Sequence, residues 1–264
     1  MVFRIEVERV ILDRFKLNGR VALVTGAARG LGQAFAVGLA EAGADVALLD
    51  RLDVDETRRK VEALGRCSHS MTNDLSETTP ESAAVALGEV KERLGRLDIL
   101  VNNAGLIRRS PALDVMASDW EEIVRIDLTS IFYLSQAAAK MMVDAGQGGK
   151  IINLCSILSF QGGIKAAPYT AAKTGLAGLT KALANEWAGY GINVNAIAPG
   201  YMTTELTAEI RSDPVRSGPT MARIPAGRWG APEDLQGVAV YLASDASDYV
   251  HGAIISVDGG WVGY

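Results

Sequence analysis

Tyr169 and Lys173 stand four residues apart, a spacing that puts both side chains on one face of a helix. That pairing has a chemical use. A phenol titrates at about 10, too high for a base near neutral pH. An ammonium held beside it stabilises the phenolate and lowers that value. Tyr169 would then take the proton of an alcohol while hydride leaves the carbon. Ser156 closes the apolar run Ile151-Ile152-Asn153-Leu154-Cys155, thirteen residues before Tyr169. Its hydroxyl can steady the charge that develops on the same oxygen. Pairs at this spacing arise by chance on many helices, so the chemistry needs company elsewhere in the chain.

The company is a glycine turn. Thr25-Gly26-Ala27-Ala28-Arg29-Gly30-Leu31-Gly32 follows the apolar run Val21-Ala22-Leu23-Val24 and opens a stretch rich in Ala and Leu. Strand, glycine turn and helix are the parts of a dinucleotide-binding site. Gly26 permits a tight turn with no Cβ in the way. Gly30 or Gly32 lets the backbone approach a pyrophosphate, and the helix N-terminus offers that anion unpaired N–H groups and a positive dipole end. The spacing is G-x-x-x-G-x-G rather than the commoner G-x-G-x-x-G. Asp50 ends the second apolar run, 18 residues after Gly32. A carboxylate there accepts hydrogen bonds from the ribose hydroxyls and repels a 2′-phosphate. That weighs toward NAD, although Arg29 and Arg51 flank the region and could receive such a phosphate. Asp74-Leu75 and Asn102-Asn103-Ala104-Gly105 follow two further strand-like runs, at the edge where open α/β sheets bind ligands. The positive ring of NAD⁺ would add to the effect of Lys173 on Tyr169.

Those residues need a frame. Apolar runs at 21–25, 45–50, 97–102, 150–155, 192–197 and 254–257 read as strands, with a further short one at 68–72. Helical period fills 31–42, 53–64, 80–94, 119–143, 170–188 and 233–243. The strands are Val/Ile/Leu runs rather than in–out alternations, the pattern of a parallel sheet covered on both faces. The resulting fold class is α/β: a single Rossmann-type doubly wound parallel sheet with helices on both faces. No linker divides the chain. Residues 17–264 read as one domain, and 1–16 as an N-terminal arm, partly disordered or packed on a neighbour. The segment 200–230, with Pro214, Pro219, Pro225, Gly218, Gly227 and Gly230, breaks the rhythm. Its place after a strand's C-terminal end reads as a lid over the site.

Composition narrows the partners. Across 264 residues, 48% hydrophobic and 22% charged content describes a globular chain with a sizeable core. A net charge of −5 argues against nucleic acid as a partner. No apolar run of about 18 residues exists, so no membrane span is expected. The first twenty residues alternate charges with Phe3, Ile5, Val7, Val10 and Ile11 and do not read as a signal peptide. Cys67, Cys155, His69 and His251 show no ligand-like spacing, which suggests neither a disulfide framework nor a metal site and fits a cytoplasmic location.

Taken in order, the glycine turn, Asp50, Asp74, Asn102 to Gly105, Ser156, Tyr169, Lys173, and Pro199-Gly200 with Thr203 resemble the short-chain dehydrogenase/reductase family over about residues 17–262. The resemblance implies Tyr169 as proton donor and acceptor, Lys173 on the nicotinamide ribose and Ser156 on the substrate oxygen. It implies Pro199, Gly200 and Thr203 beside the carboxamide, and a homotetramer. The implied cofactor set is Gly26, Arg29, Gly30, Leu31, Gly32, Asp50, Asp74, Leu75, Asn103, Ala104, Gly105, Tyr169, Lys173, Pro199, Gly200 and Thr203. One residue departs from the pattern. The family usually carries Asn in a Val-Asn-Leu-like segment of the long helix, where its backbone holds a relay water. Here the segment reads Ile126-Asp127-Leu128. Asp127 stands as a catalytic candidate whose charge would hold the proton of Lys173 more tightly. The plainer reading makes it a tolerated neighbour of the site.

The stretches Gly105-Leu106-Ile107-Arg108-Arg109, 158–164 and 223–230 are similar to a sugar-acid branch of that family, whose members act at C5 of 2-dehydro-3-deoxy-D-gluconate or of gluconate. A sugar acid calls for a cation, and guanidinium binds carboxylate bidentately. Arg108, Arg109, Lys165 and Arg223 lie in segments expected near the cleft mouth. Arg108 and Gln161 join Ser156 and Tyr169 as the expected substrate set. Each of the four cations could equally be a solvated surface charge. The implied reaction is NAD-dependent oxidation of a secondary alcohol of a keto-deoxy sugar acid. Reduction of another carbonyl compound is one alternative. A weakly active NAD-binding sensor, motivated by Asp127 alone, is another.

Overall fold

The structure, a computed structural model, describes residues 10–263. Phe3, Ile5 and Val7 of the expected arm lie outside the described residues. Seven strands form one sheet: β1 Val21–Thr25, β2 Asp45–Asp50, β3 Ser68–Thr72, β4 Ile99–Asn102, β5 Gly149–Leu154, β6 Ile192–Pro199 and β7 Ile254–Val257, in the order β3-β2-β1-β4-β5-β6-β7. Every pairing is parallel. Parallel neighbours need crossovers, and helices provide them: α1 Gly30–Glu41, α2 Asp55–Ala63, α3 Pro80–Leu94, α4 Ala117–Val124, α5 Ser130–Ala145 and α6 Ala167–Trp187, with α9 Gln236–Ala243 before β7.

Period 2 hides inside the apolar strands. Val21 and Leu23 of β1 pack with Leu87 of α3, Leu134 of α5 and Leu183 of α6. Ala22 and Val24 face the other way, against Phe35 and Leu39 of α1 and Leu242 of α9. Both faces are covered, so alternation carries no polar signature. Phe35 and Leu39 are fully buried, each contributing roughly 1.5–3 kcal/mol.

One segment differs from the sequence-based expectation, and two others show detail it lacked. The helix expected over 119–143 is split by a wide turn, Arg125–Thr129, whose hydrogen bonds run i→i+5. One extra residue in the turn changes which side chains face inward, and Asp127 sits at its centre, fully buried. The described part of the arm forms a short 3₁₀ helix, Ile11–Phe15, packed on its own chain. The ring of Phe15 lies 6.1 Å from that of Tyr241, and Arg14 donates to the Asp245 carbonyl at 2.6 Å. The segment 200–230 contains two short helices, α7 Ala208–Ser212 and α8 Pro214–Ala222. Its ends are pinned together: Met202 bridges Gly230, and the Thr203 N–H donates to the Gly230 carbonyl at 2.7 Å.

Candidate active site

The C-terminal ends of the strands border one cleft of about 680 Å³. The glycine turn forms its floor at the end of β1. Gly26 has φ +66°, and a Cβ there would stand 2.8 Å from Nδ2 of Asn103 and 2.9 Å from Cα of Ala104. Asn103 is the clamp: its Nδ2 donates to the carbonyls of Thr25 at 2.8 Å and Gly26 at 3.1 Å. The Thr25 hydroxyl accepts from the N–H groups of Asn103 and Ala104, both at 3.0 Å. The Asn-Asn-Ala-Gly segment is therefore the partner of the turn. Its first member, Asn102, is buried and donates to Ser135 and Asn153 instead.

The two later glycines have separate reasons. A Cβ on Gly32 would collide with the Gly26 carbonyl oxygen, so Gly32 lets α1 press against the turn. Gly30 has φ +55°, and the nearest atom to a Cβ there is Cγ2 of Thr204 at 3.7 Å. Gly30 is the residue that keeps backbone open to the cleft. Leu31 lines the cleft beside it. Arg29, at the N-cap of α1, pairs with Glu205 across the mouth.

At the end of β2, both oxygens of Asp50 are fixed. Oδ2 accepts from the Ala28 N–H at 2.9 Å, and Oδ1 from the Leu52 N–H at 3.0 Å. Arg51 lies beside it, exposed, 4.0 Å from Asp74. Asp74 caps the short turn after β3 by accepting from the Ser76 N–H at 2.9 Å. That hydrogen bond, helped by Arg51, holds its carboxyl below the usual range. Leu75 is buried beneath it.

Ser156, Tyr169 and Lys173 meet at the end of β5 and the first turns of α6. The Ser156 hydroxyl accepts from the Leu158 N–H at 3.1 Å and stands beside the Tyr169 phenol, favouring its charged form. Lys173 is 2% exposed. Its Nζ donates to the Leu154 carbonyl at 2.9 Å and lies 5.5 Å from the centre of the Tyr169 ring. It also lies 3.3 Å from Oδ2 of Asp127. Burial works against the ammonium, but Asp127, Tyr169 and Cys155 outweigh it, so Lys173 titrates above its ordinary value. Asp127 is raised as well, because burial outweighs Lys173. The Tyr169 phenol is raised by burial first; Lys173 opposes this and Asp127 adds to it. The expected lowering of Tyr169 is thus corrected for the protein alone: the ammonium pulls in the expected direction, and burial wins.

Pro199, Gly200 and Thr203 line the far wall, where β6 ends. A Cβ on Gly200 would stand 2.6 Å from Cα of Asp258, so the wall closes only with glycine there. Tyr201 stacks between Trp261 and Trp229, with ring centres 4.7 and 5.4 Å away.

Two expected substrate residues are not brought to the cleft. Arg108 turns onto α4, held by Glu122 at 2.5 Å and Asp119 at 3.2 Å. Gln161 accepts from Arg223 at 3.4 Å, and Arg223 itself stacks 4.1 Å over Trp261. Lys165 stands outside too. Of the four cations expected at the mouth, Arg109 is the one that lines the cleft. It makes no hydrogen bond or ion pair with another described residue. Burial, and after it the like charge of Arg216, press against its charged form. Tyr201 and Glu205 also line the cleft, and sequence reading missed them; the breakdown of helical rhythm at 200–230 was the available signal.

A family model described as Enoyl-(Acyl carrier protein) reductase matches residues 26–262. A 2-dehydro-3-deoxy-D-gluconate 5-dehydrogenase of Dickeya dadantii (strain 3937) is 51% identical over 253 residues, which cover 96% of this chain and 99% of the relative. A solved structure described as a 2-deoxy-D-gluconate 3-dehydrogenase of Agrobacterium tumefaciens, with NADP bound, is 49% identical. It superimposes with a TM-score of 0.89 over 96% of this chain and 100% of the other. A gluconate 5-dehydrogenase of Burkholderia cenocepacia J2315, in complex with NADP and tartrate, is 42% identical with a TM-score of 0.90, over 96% of this chain and 99% of the other. With matches over nearly its whole length and the same overall fold, the chain belongs to the short-chain dehydrogenase/reductase family of oxidoreductases.

Proposed function

We propose that the protein interconverts the C5 alcohol of 2-dehydro-3-deoxy-D-gluconate and the corresponding ketone, giving 3-deoxy-D-glycero-2,5-hexodiulosonate on oxidation, with NAD as cofactor. The substrate reading is carried by Arg109: a half-buried guanidinium with no hydrogen bond or ion pair to another described residue, Glu209 acting on it only from a distance, in the same cleft as Tyr169. A substrate carboxylate would supply the missing charge and a bidentate hydrogen bond. Kinship with the Dickeya enzyme narrows the acid to a keto-deoxy gluconate.

The cleft suits a dinucleotide. Gly30 leaves backbone open at the N-terminus of α1, where N–H groups and the helix dipole favour a pyrophosphate. Each oxygen of Asp50 keeps a lone pair for a ribose hydroxyl, and its charge disfavours a 2′-phosphate. The bound nicotinamide supplies the acceptor for hydride. The chain's residues do the rest. Arg109 fixes the acid end of the substrate. Ser156 donates to the reacting oxygen. Tyr169 takes the hydroxyl proton during oxidation and returns it during reduction. The Lys173 ammonium favours the phenolate that this exchange creates. Oxidation releases one ketone, one NADH and one proton.

Two features support a homotetramer in a reducing cytoplasm. Leu113, Ile164, Val215 and Tyr249 are largely exposed, surface that partner copies would cover. Cys67 and Cys155 are free. NADH formation with a panel of 2-dehydro-3-deoxy-D-gluconate, D-gluconate and a neutral polyol tests the substrate reading. The keto-deoxy acid is expected to give the highest kcat/KM. Turnover of the polyol with none of either acid sinks it.

A further inference from the structure

Asp127 is a buried carboxylate that the reaction described above leaves without a task. It lies at the centre of the wide turn Arg125–Thr129, and its side chain is 0% exposed. Oδ1 accepts from the Leu106 N–H at 2.7 Å. Among the described residues no group donates a well-aligned hydrogen bond to Oδ2, and the Lys173 ammonium faces it at 3.3 Å. The charged and titratable groups around the phenol come from four elements. Lys173 comes from α6 itself, Asp127 from the wide turn, Cys155 from the end of β5, and Arg109 from the loop after β4.

An isolated ammonium beside Tyr169 would pull the phenol toward phenolate. A carboxylate beside that ammonium cancels much of the pull. The cancellation is strong here because both partners are enclosed and water screens them little. We propose that Asp127 is a positioning residue that clamps the Lys173 ammonium and neutralises its field, keeping Tyr169 a proton donor to higher pH than an uncharged residue at 127 would. The inference rests on the assignment of Tyr169 as the acid–base group. The raised phenol and the retained ammonium agree with it. Its consequence is directional. Ketone reduction, which needs the phenol, runs unimpeded through neutral pH. Alcohol oxidation, which needs the phenolate, climbs as the solution becomes alkaline.

Asp127→Asn tests this, because the amide oxygen can still accept from Leu106. With the cofactor-saturated enzyme, kcat/KM for oxidation is measured against pH in both proteins. The limb of the variant is expected to lie about one pH unit lower, so that below it the variant oxidises about tenfold faster. NAD affinity is expected to stay unchanged. Superimposable limbs, whatever happens to kcat, overturn the inference and leave Asp127 a packing residue. If that variant does not fold, Asp127→Ser takes its place beside the wild-type protein. The ultraviolet difference between it and Tyr169→Phe, titrated with alkali, reads the Tyr169 phenolate directly. Its midpoint is expected above that of a free phenol and to fall when Asp127 is replaced; a midpoint that does not move overturns the proposal. The titration needs no sugar acid, so failure of the substrate reading is distinguishable from failure here.

Discussion

Arg109 and Arg108 are chemically identical neighbours with opposite fates, and that contrast orders the predictions at the residue scale. Arg109→Gln keeps a donor but loses the fixed charge. We expect KM for the sugar acid to rise about 10- to 100-fold with little change in kcat, since a charge-assisted hydrogen bond contributes about 1.5–3 kcal/mol. Arg108→Gln should leave steady-state kinetics unchanged, because Glu122 and Asp119 already hold that side chain on α4. Tyr169→Phe should cut kcat by about 10²–10⁴-fold, with NAD affinity retained in a fluorescence titration. Asp50→Ala should lower kcat/KM with NAD at least about tenfold and narrow its lead over NADP, as two ribose hydrogen bonds go. The sequence made the chemical set legible: Ser156, Tyr169 and Lys173 were placed by spacing and strand ends. It put Arg108 rather than Arg109 on the substrate, and the structure brings Arg109 to the cleft instead. Side-chain direction in an irregular loop is set by what the loop packs on, here the acidic face of α4.

At the scale of elements, the strands were readable because a covered parallel sheet is written as uninterrupted apolar runs. β3 was the faint one, for an edge strand of sequence Ser-His-Ser-Met-Thr has only Met71 fully in the core. The wide turn at 125–129 was invisible, since a single added residue leaves helical periodicity nearly intact. α8 was obscured by Pro219 inside it. The turn around Gly32 yields a stability prediction. A methyl group in Gly32→Ala must displace the Gly26 carbonyl, and we expect a loss of about 1–3 kcal/mol, read as a lower thermal midpoint. The loop before α9 carries a pH prediction. Asp234 is paired with Arg228 at 2.6 and 2.8 Å and accepts from the Ala231 N–H at 2.7 Å. These hold its carboxyl down to about 2. A carboxyl lowered on folding stabilises the fold above its unfolded value of about 3.9. That contribution fades as pH falls from there through about 2. Urea midpoints of wild type and Asp234→Asn should therefore converge across that window.

For the whole molecule, the expected mass in solution is that of four copies, measurable by light scattering after size-exclusion chromatography; a monomer at micromolar concentration would refute the assembly. No helix among the described residues is long and apolar enough to cross a membrane. The order of the sheet has a further consequence. β1 lies between β2 and β4, and β4 is followed outward by β5 and β6. The cleft thus needs Gly26 and Thr203 together. A ribosome must release most of the polypeptide before that cleft is complete. During synthesis the newborn chain receives less help from the cellular nicotinamide pool. A finished chain gains about 2.7 kcal/mol at a ligand concentration about 100 times Kd. Products that end before β6 lack the far wall of the cleft and are expected to gain less. Occupancy by the nucleotide therefore separates complete molecules from truncated ones, and proteases in the cell would meet the second kind less protected.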